Sequence, residues 1–291
     1  EYFTFEIMNS IDEQVDGDLY VSPDGDNNNN GLSAQTPLKT IQHALSSIIS
    51  DSLNPHTIYL ANGIYSPSTN GESFPINMIN NISIIGESEQ NVILNADSVA
   101  SVIHFIDVEN SSISTLTITG GSSVYGGGVY FSYSNSNLTD LTIIDNIAIG
   151  TLPPDHNVEQ GYGGGIYCEY SDPILTNVKV LNNSSKDGGG IYCYTSNPVL
   201  EDVSITGNNG TGAGGGIYLQ YSSNAMLKRV TISNNHVTGD WARGGGIKGD
   251  FYSSASLEEV YILNNSAGFS GGGIYLGDNN FTLKNVIIAD N

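Results

Sequence analysis

The residues of this sequence best equipped to touch a ligand are tyrosines that recur at one fixed place. Tyr130, Tyr167, Tyr192, Tyr218 and Tyr275 each close a Gly-Gly-Gly-apolar-Tyr run, and Lys248 takes that place in a sixth copy. Three residues further on come Tyr133, Tyr170, Tyr221 and Phe251, with Thr195 interrupting the set and Tyr194 adjacent. If the copies stack, both sets align into outward aromatic columns. Such a face suits sugar rings or a protein partner, because tyrosine joins a large apolar ring to a polar tip. It suits a purely stabilising ladder on exposed strands equally well. Lys248 is placed for cation–π contacts inside the first column.

Two longer segments, Ile147 to Tyr162 and His236 to Arg243, interrupt the otherwise short spacing between copies. They carry Asp155, His156, Glu159, His236, Asp240, Trp241 and Arg243, with Lys186 and Asp187 between them. At the strand spacing of a sheet they would flank a shelf about 15 Å wide. Trp241, the only tryptophan, suits a sugar platform there, or else packs down as part of an ordinary tolerated insertion. Lys186–Asp187 is the best base-plus-acid pair, expected in a turn. Lys179 is expected on an outward strand position with no matching acid cluster at its rung. No pair of aspartates stands at glycosidase spacing. Asp24, Asp26, Asn28 and Asn30 alternate like a calcium loop, although Asn29 and Gln35 stand where an EF-hand needs Gly and Glu. Calcium is therefore the one cofactor suggested, beside the plainer reading of a solvated turn.

The elements that must position these groups are repeats. Successive triple glycines lie 37, 25, 26, 30 and 27 residues apart. An apolar-x-x-apolar-x-apolar run keeps the same step, as in Leu175, Val178 and Val180, then Leu200, Val203 and Ile205. Three residues after these runs stand Asn146, Asn183, Asn208, Asn235, Asn265 and Asn291. Three markers sharing one period indicate a stacked repeat. Short β-branched runs between Gly, Asn and Ser carry no helical period, so each repeat reads as one coil of a parallel β-helix. Glycine supplies positive φ and close backbone approach, while asparagine tolerates the left-handed region and can ladder its amides. Cys168 and Cys193, 25 apart, should stack inward as buried thiols.

Residues 1–56 read as a strand at Leu19–Val21, a polar loop, and an amphipathic helix capped by Thr36 and running to about Ser50. That helix would cover the open end of the core, as terminal caps of solenoids must. Coils over residues 57–291 should number about nine. The 291 residues carry 30 acids against 8 bases, a net charge of −22, which disfavours nucleic acid and anionic membranes. No apolar run reaches the roughly 20 residues that span a bilayer. Scarce Lys and Arg beside abundant Asn, Ser, Thr, Gly and Tyr suggest a secreted or cell-surface bacterial protein. The absence of a signal peptide suggests a mature form or excised domain, and a last coil ending on Asn291 suggests a longer parent or end-to-end association.

Tyr20-Val-Ser-Pro-Asp-Gly-Asp-Asn-Asn-Asn-Asn-Gly-Leu-Ser, followed by Thr36-Pro-Leu-Lys-Thr-Ile-Gln-His-Ala-Leu45, resembles the N-terminal segment of secreted bacterial right-handed β-helix proteins, among them pectate-lyase-like enzymes. The Gly-Gly-Gly-Ile-Tyr coils resemble repeats of polymorphic outer-membrane autotransporters. The resemblance implies an all-β, right-handed, single-stranded parallel β-helix, a scaffold that hosts enzymes, adhesins and stalks alike. A lyase of this class would gather aspartates around calcium and use Lys or Arg as base, and the coils offer no such constellation. The expected function is therefore a surface module that binds a polysaccharide or a surface protein. A calcium-dependent polysaccharide lyase and a stalk or filament unit are the alternatives.

Overall fold

The structure, a computed structural model of the chain, describes residues 14–151, 159–277 and 280–291. Its period comes from a bend within each apolar run. Thr115, Asp140, Asn177, Asp202, Arg229, Glu259 and Asn285 all take φ between 53 and 60°. One left-handed residue shifts the alternation by one, so Leu138 and Leu141, three apart, both point inward. This conformation costs roughly 1 kcal/mol or more for a residue with a side chain. Ladders between the bent residues offset it: Asn177 Nδ2 donates to Asp140 Oδ1 at 2.6 Å and Arg229 Nε to Asp202 Oδ1 at 2.6 Å.

Parallel pairing then joins coil to coil. A 16-stranded sheet, an eight-stranded sheet and a six-stranded sheet form three faces, giving about eight full turns where the spacing suggests about nine. In the eight-stranded sheet Val129, Ile166, Ile191, Ile217, Ile247 and Ile274 stand in one register, and Cys168 pairs with Cys193. Both thiols are buried and free, as expected. Phe105 stacks on Phe131 at 4.6 Å inside the same core.

Three polar devices hold the corners. Asn146, Asn183, Asn208, Asn235 and Asn265 are all but fully buried. Asn146 Oδ1 accepts from Gly121 N, and each of the other four receives on its Oδ1 the backbone and side-chain N–H of the preceding marker. The left-handed residue lies one position earlier than expected, at Asp145, Asn182, Gly207, Asn234, Asn264 and Asp290. A second ladder escaped sequence reading: Ser134, Ser171, Ser196 and Ser223 each donate a backbone N–H to the next serine hydroxyl at 3.0–3.2 Å. At the triple glycines the first residue has positive φ, 66° at Gly188. A Cβ on Gly189 would stand 2.5 Å from Asn209 O and 2.6 Å from Gly215 O, closer than packed atoms approach, so only glycine fits there.

The N-terminal segment corrects two expectations. The helix spans Ile41–Ser47 with Thr40 as N-cap, not Thr36 to Ser50. Residues 37–38 cannot be helical because Leu38 pairs with Val21, giving its N–H to Tyr20 O and accepting from Ser22 N. Thr36 lies in the turn before, with its hydroxyl on Asn30 Oδ1 at 2.9 Å. The helix does cover the first coil: Ile41, Ala44, Leu45 and Ile48 are buried in the continuous core. Glu72, itself buried, reaches back to accept from Ile41 N at 2.6 Å and Gln42 N at 3.1 Å. At the other end Leu283, Ile287 and Ile288 are about half exposed.

Candidate functional site

The first tyrosine column is real, but its surroundings differ from expectation. Tyr130, Tyr167, Tyr192, Tyr218, Lys248 and Tyr275 align rung by rung, and His104 extends the column upward. They point away from the apolar core, yet Tyr167, Tyr192 and Tyr218 are each only 4% exposed. The flat exposed face expected from the sequence is therefore a packed second cluster outside the barrel. What buries it is the residue before each triple glycine. Tyr125, Tyr162 and Asp187 pair in succession, then Ala213, Arg243 and Ser270. The glycine corner is concave on its outer side, so each of these tyrosines faces the column both five residues on, Tyr125 at 6.3 Å from Tyr130 and Tyr162 at 6.4 Å from Tyr167, and on the next rung. Tyr125 lies 5.1 Å from Tyr167, and Tyr162 lies 5.2 Å from Tyr192, centroid to centroid.

The result is a cleft of about 360 Å³ lined by Tyr125, Tyr162, Tyr167, Asp187, Tyr192, Tyr194, Gln220 and Tyr221. Tyr167 and Tyr192 stack at 5.3 Å with rings nearly parallel, and Tyr192 meets Tyr218 edge-on. Their hydroxyls are taken up by a polar band. Tyr130 donates to Glu169 Oε1 at 2.6 Å, with Ser132 on the same oxygen at 2.9 Å. Tyr192 donates to Gln220, whose amide donates in turn to Tyr218 Oη at 3.0 Å. Lys248 closes the lower end. Its Nζ stands 4.3 Å over the Tyr218 ring, 3.1 Å from its hydroxyl and 3.1 Å from Asp250, as its place in the column suggests.

Burial, with the Glu169 carboxylate beside it, pushes the Tyr130 hydroxyl up to about 12. Tyr167, Tyr192 and Tyr218 are raised further for the same first reason, removal from water. All four therefore act as neutral donors and ring surfaces across the physiological range. Asp187 is also raised, by burial, against the relief of Lys186 and Lys248 nearby. Desolvation likewise lowers His104, which meets Tyr130 edge-on at 5.2 Å.

The remaining predicted residues scatter. Tyr133, Tyr170, Tyr221 and Phe251 lie not on strands but at left-handed turn positions, with φ of 48–54°. They are exposed, and they stack in pairs at 4.9 and 4.6 Å, with Tyr194 bridging the rung of Thr195. Trp241 is 74% exposed, packs on Phe269 at 5.1 Å, and does not line the cleft. Arg243 sits over Phe269 and Tyr275. Lys186 and Asp187 lie on a strand, Ser184–Asp187, rather than in a turn. Strand alternation sends them apart: Lys186 lines a separate hollow of about 150 Å³ with Ile147, Ile149 and Gln160, while Asp187 lines the tyrosine cleft. The two insertions do leave one corner three rungs apart, since Ile147, Ser184, Asn209 and His236 form one register. Asp155 and His156 fall outside the described residues, and Asp240 lines no described cavity. Among the described residues Lys179 meets a single acid, Glu89 from an earlier loop, at 2.8 Å.

Asp24, Asp26, Asn28 and Asn30 serve their own loop. Asp26 Oδ1 accepts from Asn28 N and Nδ2, and Asn30 Oδ1 from Leu32 N and the Thr36 hydroxyl. Among the described residues no three His, Cys, Asp or Glu side chains gather as a metal site, and no helix is long and apolar enough to cross a membrane. Sequence reasoning missed Tyr125, Tyr162, Glu169, Gln220 and His104. Tyr125 and Tyr162 were within reach, since each precedes a triple glycine by one residue.

A parallel coil of this register defines a β-helix protein, here with an aromatic cleft on its outer face. A family model described as a protein of unknown function (DUF1565) matches residues 24–290, and the chain belongs to that family. No curated protein matches it. Among solved structures, the chain is similar to pectate lyase Pel9A, with a TM-score of 0.56, 13% identity, and coverage of 96% of this chain and 78% of that one. It is similar to the pectin methylesterase from carrot at 0.55, 14%, 91% and 82%. A pectin methylesterase in complex with a hexasaccharide matches at 0.50, 14%, 89% and 80%. These likenesses establish the right-handed parallel β-helix fold.

Proposed function

We propose that the chain is an extracellular or cell-surface β-helix module that binds a saccharide in the tyrosine cleft. The observation that carries this reading is the pairing of ring faces with a polar band in one open cleft of about 360 Å³. Sugar rings present C–H faces that stack on aromatic rings and hydroxyls that bond to amides and carboxylates, and Gln220 and Asp187 offer both partners. The volume falls in the range of small-molecule sites, and the partly exposed Tyr125 and Tyr162 are held by stacking at 5.6 Å, so little ordering entropy is lost on binding. The names of the structural neighbours, which act on pectin and include one holding a hexasaccharide, agree with a glycan partner.

Titration calorimetry against a panel of neutral and charged oligosaccharides tests it. Tyr162→Ala and Tyr194→Ala remove rings at the cleft's rim, and each should weaken binding about tenfold, the worth of one stacked ring. Unchanged affinity in both variants, or a panel with no binder, refutes the reading. A second reading, end-to-end association with another copy through the last coil, is favoured by the half-exposed Leu283, Ile287 and Ile288. Sedimentation of the chain across concentration, with Ile288→Lys as the breaking variant, separates it from the first.

A further inference from the structure

The cleft repeats a motif that the chain completes for itself on the neighbouring rungs. Below Tyr218 the column places Lys248, whose ammonium stands 4.3 Å over the ring and is held by Asp250 at 3.1 Å. Beside Tyr275 the guanidinium of Arg243 stands 4.9 Å over the ring. On both rungs a cation lies against the negative π-face of a tyrosine. On the rungs of Tyr167 and Tyr192 the rings are present and the cation is not: among the described residues no Lys or Arg lies over either ring. A carboxylate is nevertheless in place. Asp187 lines the same cleft as Tyr162, Tyr167 and Tyr192, and none of the ion pairs among the described residues uses it. Lys186 and Lys248 act on it through space but neither forms an ion pair with it, and Lys186 lines the other hollow.

We infer that the cleft takes an organic ammonium group between its partly exposed Tyr125 and Tyr162 rings and the Asp187 carboxylate, and hence that its saccharide is an amino sugar with free amines. The inference rests on the saccharide reading of this cleft and narrows it. An ammonium would meet the open side of these rim rings and the carboxylate, as Lys248 meets Tyr218 and Asp250. A uronate would meet like charge from Asp187 and Glu169, in a chain whose net charge is −22, and like charge within a desolvated cleft is strongly disfavoured. An acetylated amine keeps its ring stacking but forfeits the ion pair. Desolvation of Asp187 strengthens the pull on a cation that replaces the lost water.

The test compares three tetramers by titration calorimetry: glucosamine, N-acetylglucosamine and galacturonate. The expected result is that the glucosamine tetramer binds at least tenfold more tightly than the other two. Asp187→Asn, nearly isosteric, should remove that preference, so that the glucosamine and N-acetylglucosamine tetramers bind the variant alike. If the acetylated or uronate tetramer binds as tightly as the free amine to the wild-type chain, the saccharide reading stands and the ammonium inference is overturned. If no tetramer binds, both fall. Because wild-type discrimination is itself decisive, the conclusion does not depend on the variant folding.

Discussion

Replacing Asn208 by alanine should cost more than any exposed substitution of similar size, and the bonds around it give the magnitude. Its Oδ1 accepts from Asn183 N at 2.9 Å and Asn183 Nδ2 at 3.1 Å, and its Nδ2 donates to Val180 O and Asn235 Oδ1, both at 2.9 Å. Truncation deletes these four bonds. The Asn183 amide keeps Ile143 O and Asn235 Oδ1 keeps the Asn208 backbone N–H, so two partners stay satisfied. The Asn183 backbone N–H is left bare in a buried position. About 1 kcal/mol for each of three net hydrogen bonds, with about 1–3 kcal/mol for the stranded buried donor of the fourth, sums to roughly 4–6 kcal/mol. Asn197 is the control. It makes a similar count of bonds, to Asp172 and Asn224, but in the open, so Asn197→Ala should cost below about 1 kcal/mol. Urea unfolding followed by circular dichroism reads both, and hydrogen exchange should show the loss centred on the coils of Asn183 and Asn235, since solenoid coils contact only their neighbours. Equal midpoint shifts for the two variants with unchanged slopes would show that the ladder is decoration and not the corner's support.

Three further outcomes follow from other parts of the molecule. Glu72→Ala should destabilise by about 2–4 kcal/mol in thermal or urea unfolding, because two helix N–H groups lose a buried acceptor; Glu72→Gln, which keeps the acceptor oxygen, should recover part of it. Burial tends to raise Glu89, but the hydrogen bonds from Lys179 and Thr142 outweigh it and hold the carboxyl below its usual value. Its folded pKa being depressed, its stabilisation is present above the ordinary carboxylate range and is lost as pH falls through the folded value. Lys179 is about half exposed, so Lys179→Met should cost less than about 1 kcal/mol at neutral pH and should flatten the acid side of the stability profile. Burial raises the Cys168 thiol well above its usual value, with Cys193 beside it; a thiol reagent should therefore leave the native protein unlabelled and modify both cysteines once guanidinium unfolds it.

How much of this was legible in advance depends on whether a feature repeats along the chain or is made where two stretches meet. Glycine triplets, marker asparagines and apolar runs at one period require a coil of nearly constant circumference, because only in-register stacking lets every copy bury the same residues. That alone dictates the parallel β-helix, the inward thiols and the alignment of Tyr130 through Tyr275. Within one strand, alternation also dictates that those tyrosines point away from the core. The helix start was misplaced because a good cap-and-proline signal at Thr36 was overruled by pairing between Leu38 and Val21, a contact across the fold.

The cleft itself was decided only in three dimensions. Sequence patterns say which side of a strand a residue takes, not what stands opposite. The concave glycine corner brings Tyr125 and Tyr162 across from Tyr167 and Tyr192, turning an exposed column into walls. It also separates Lys186 from Asp187, adjacent in the chain but facing different hollows. Burial, ring contact and the raised carboxyl of Asp187 arise from that curvature, a property of backbone geometry summed over several residues, which no single position in the chain encodes.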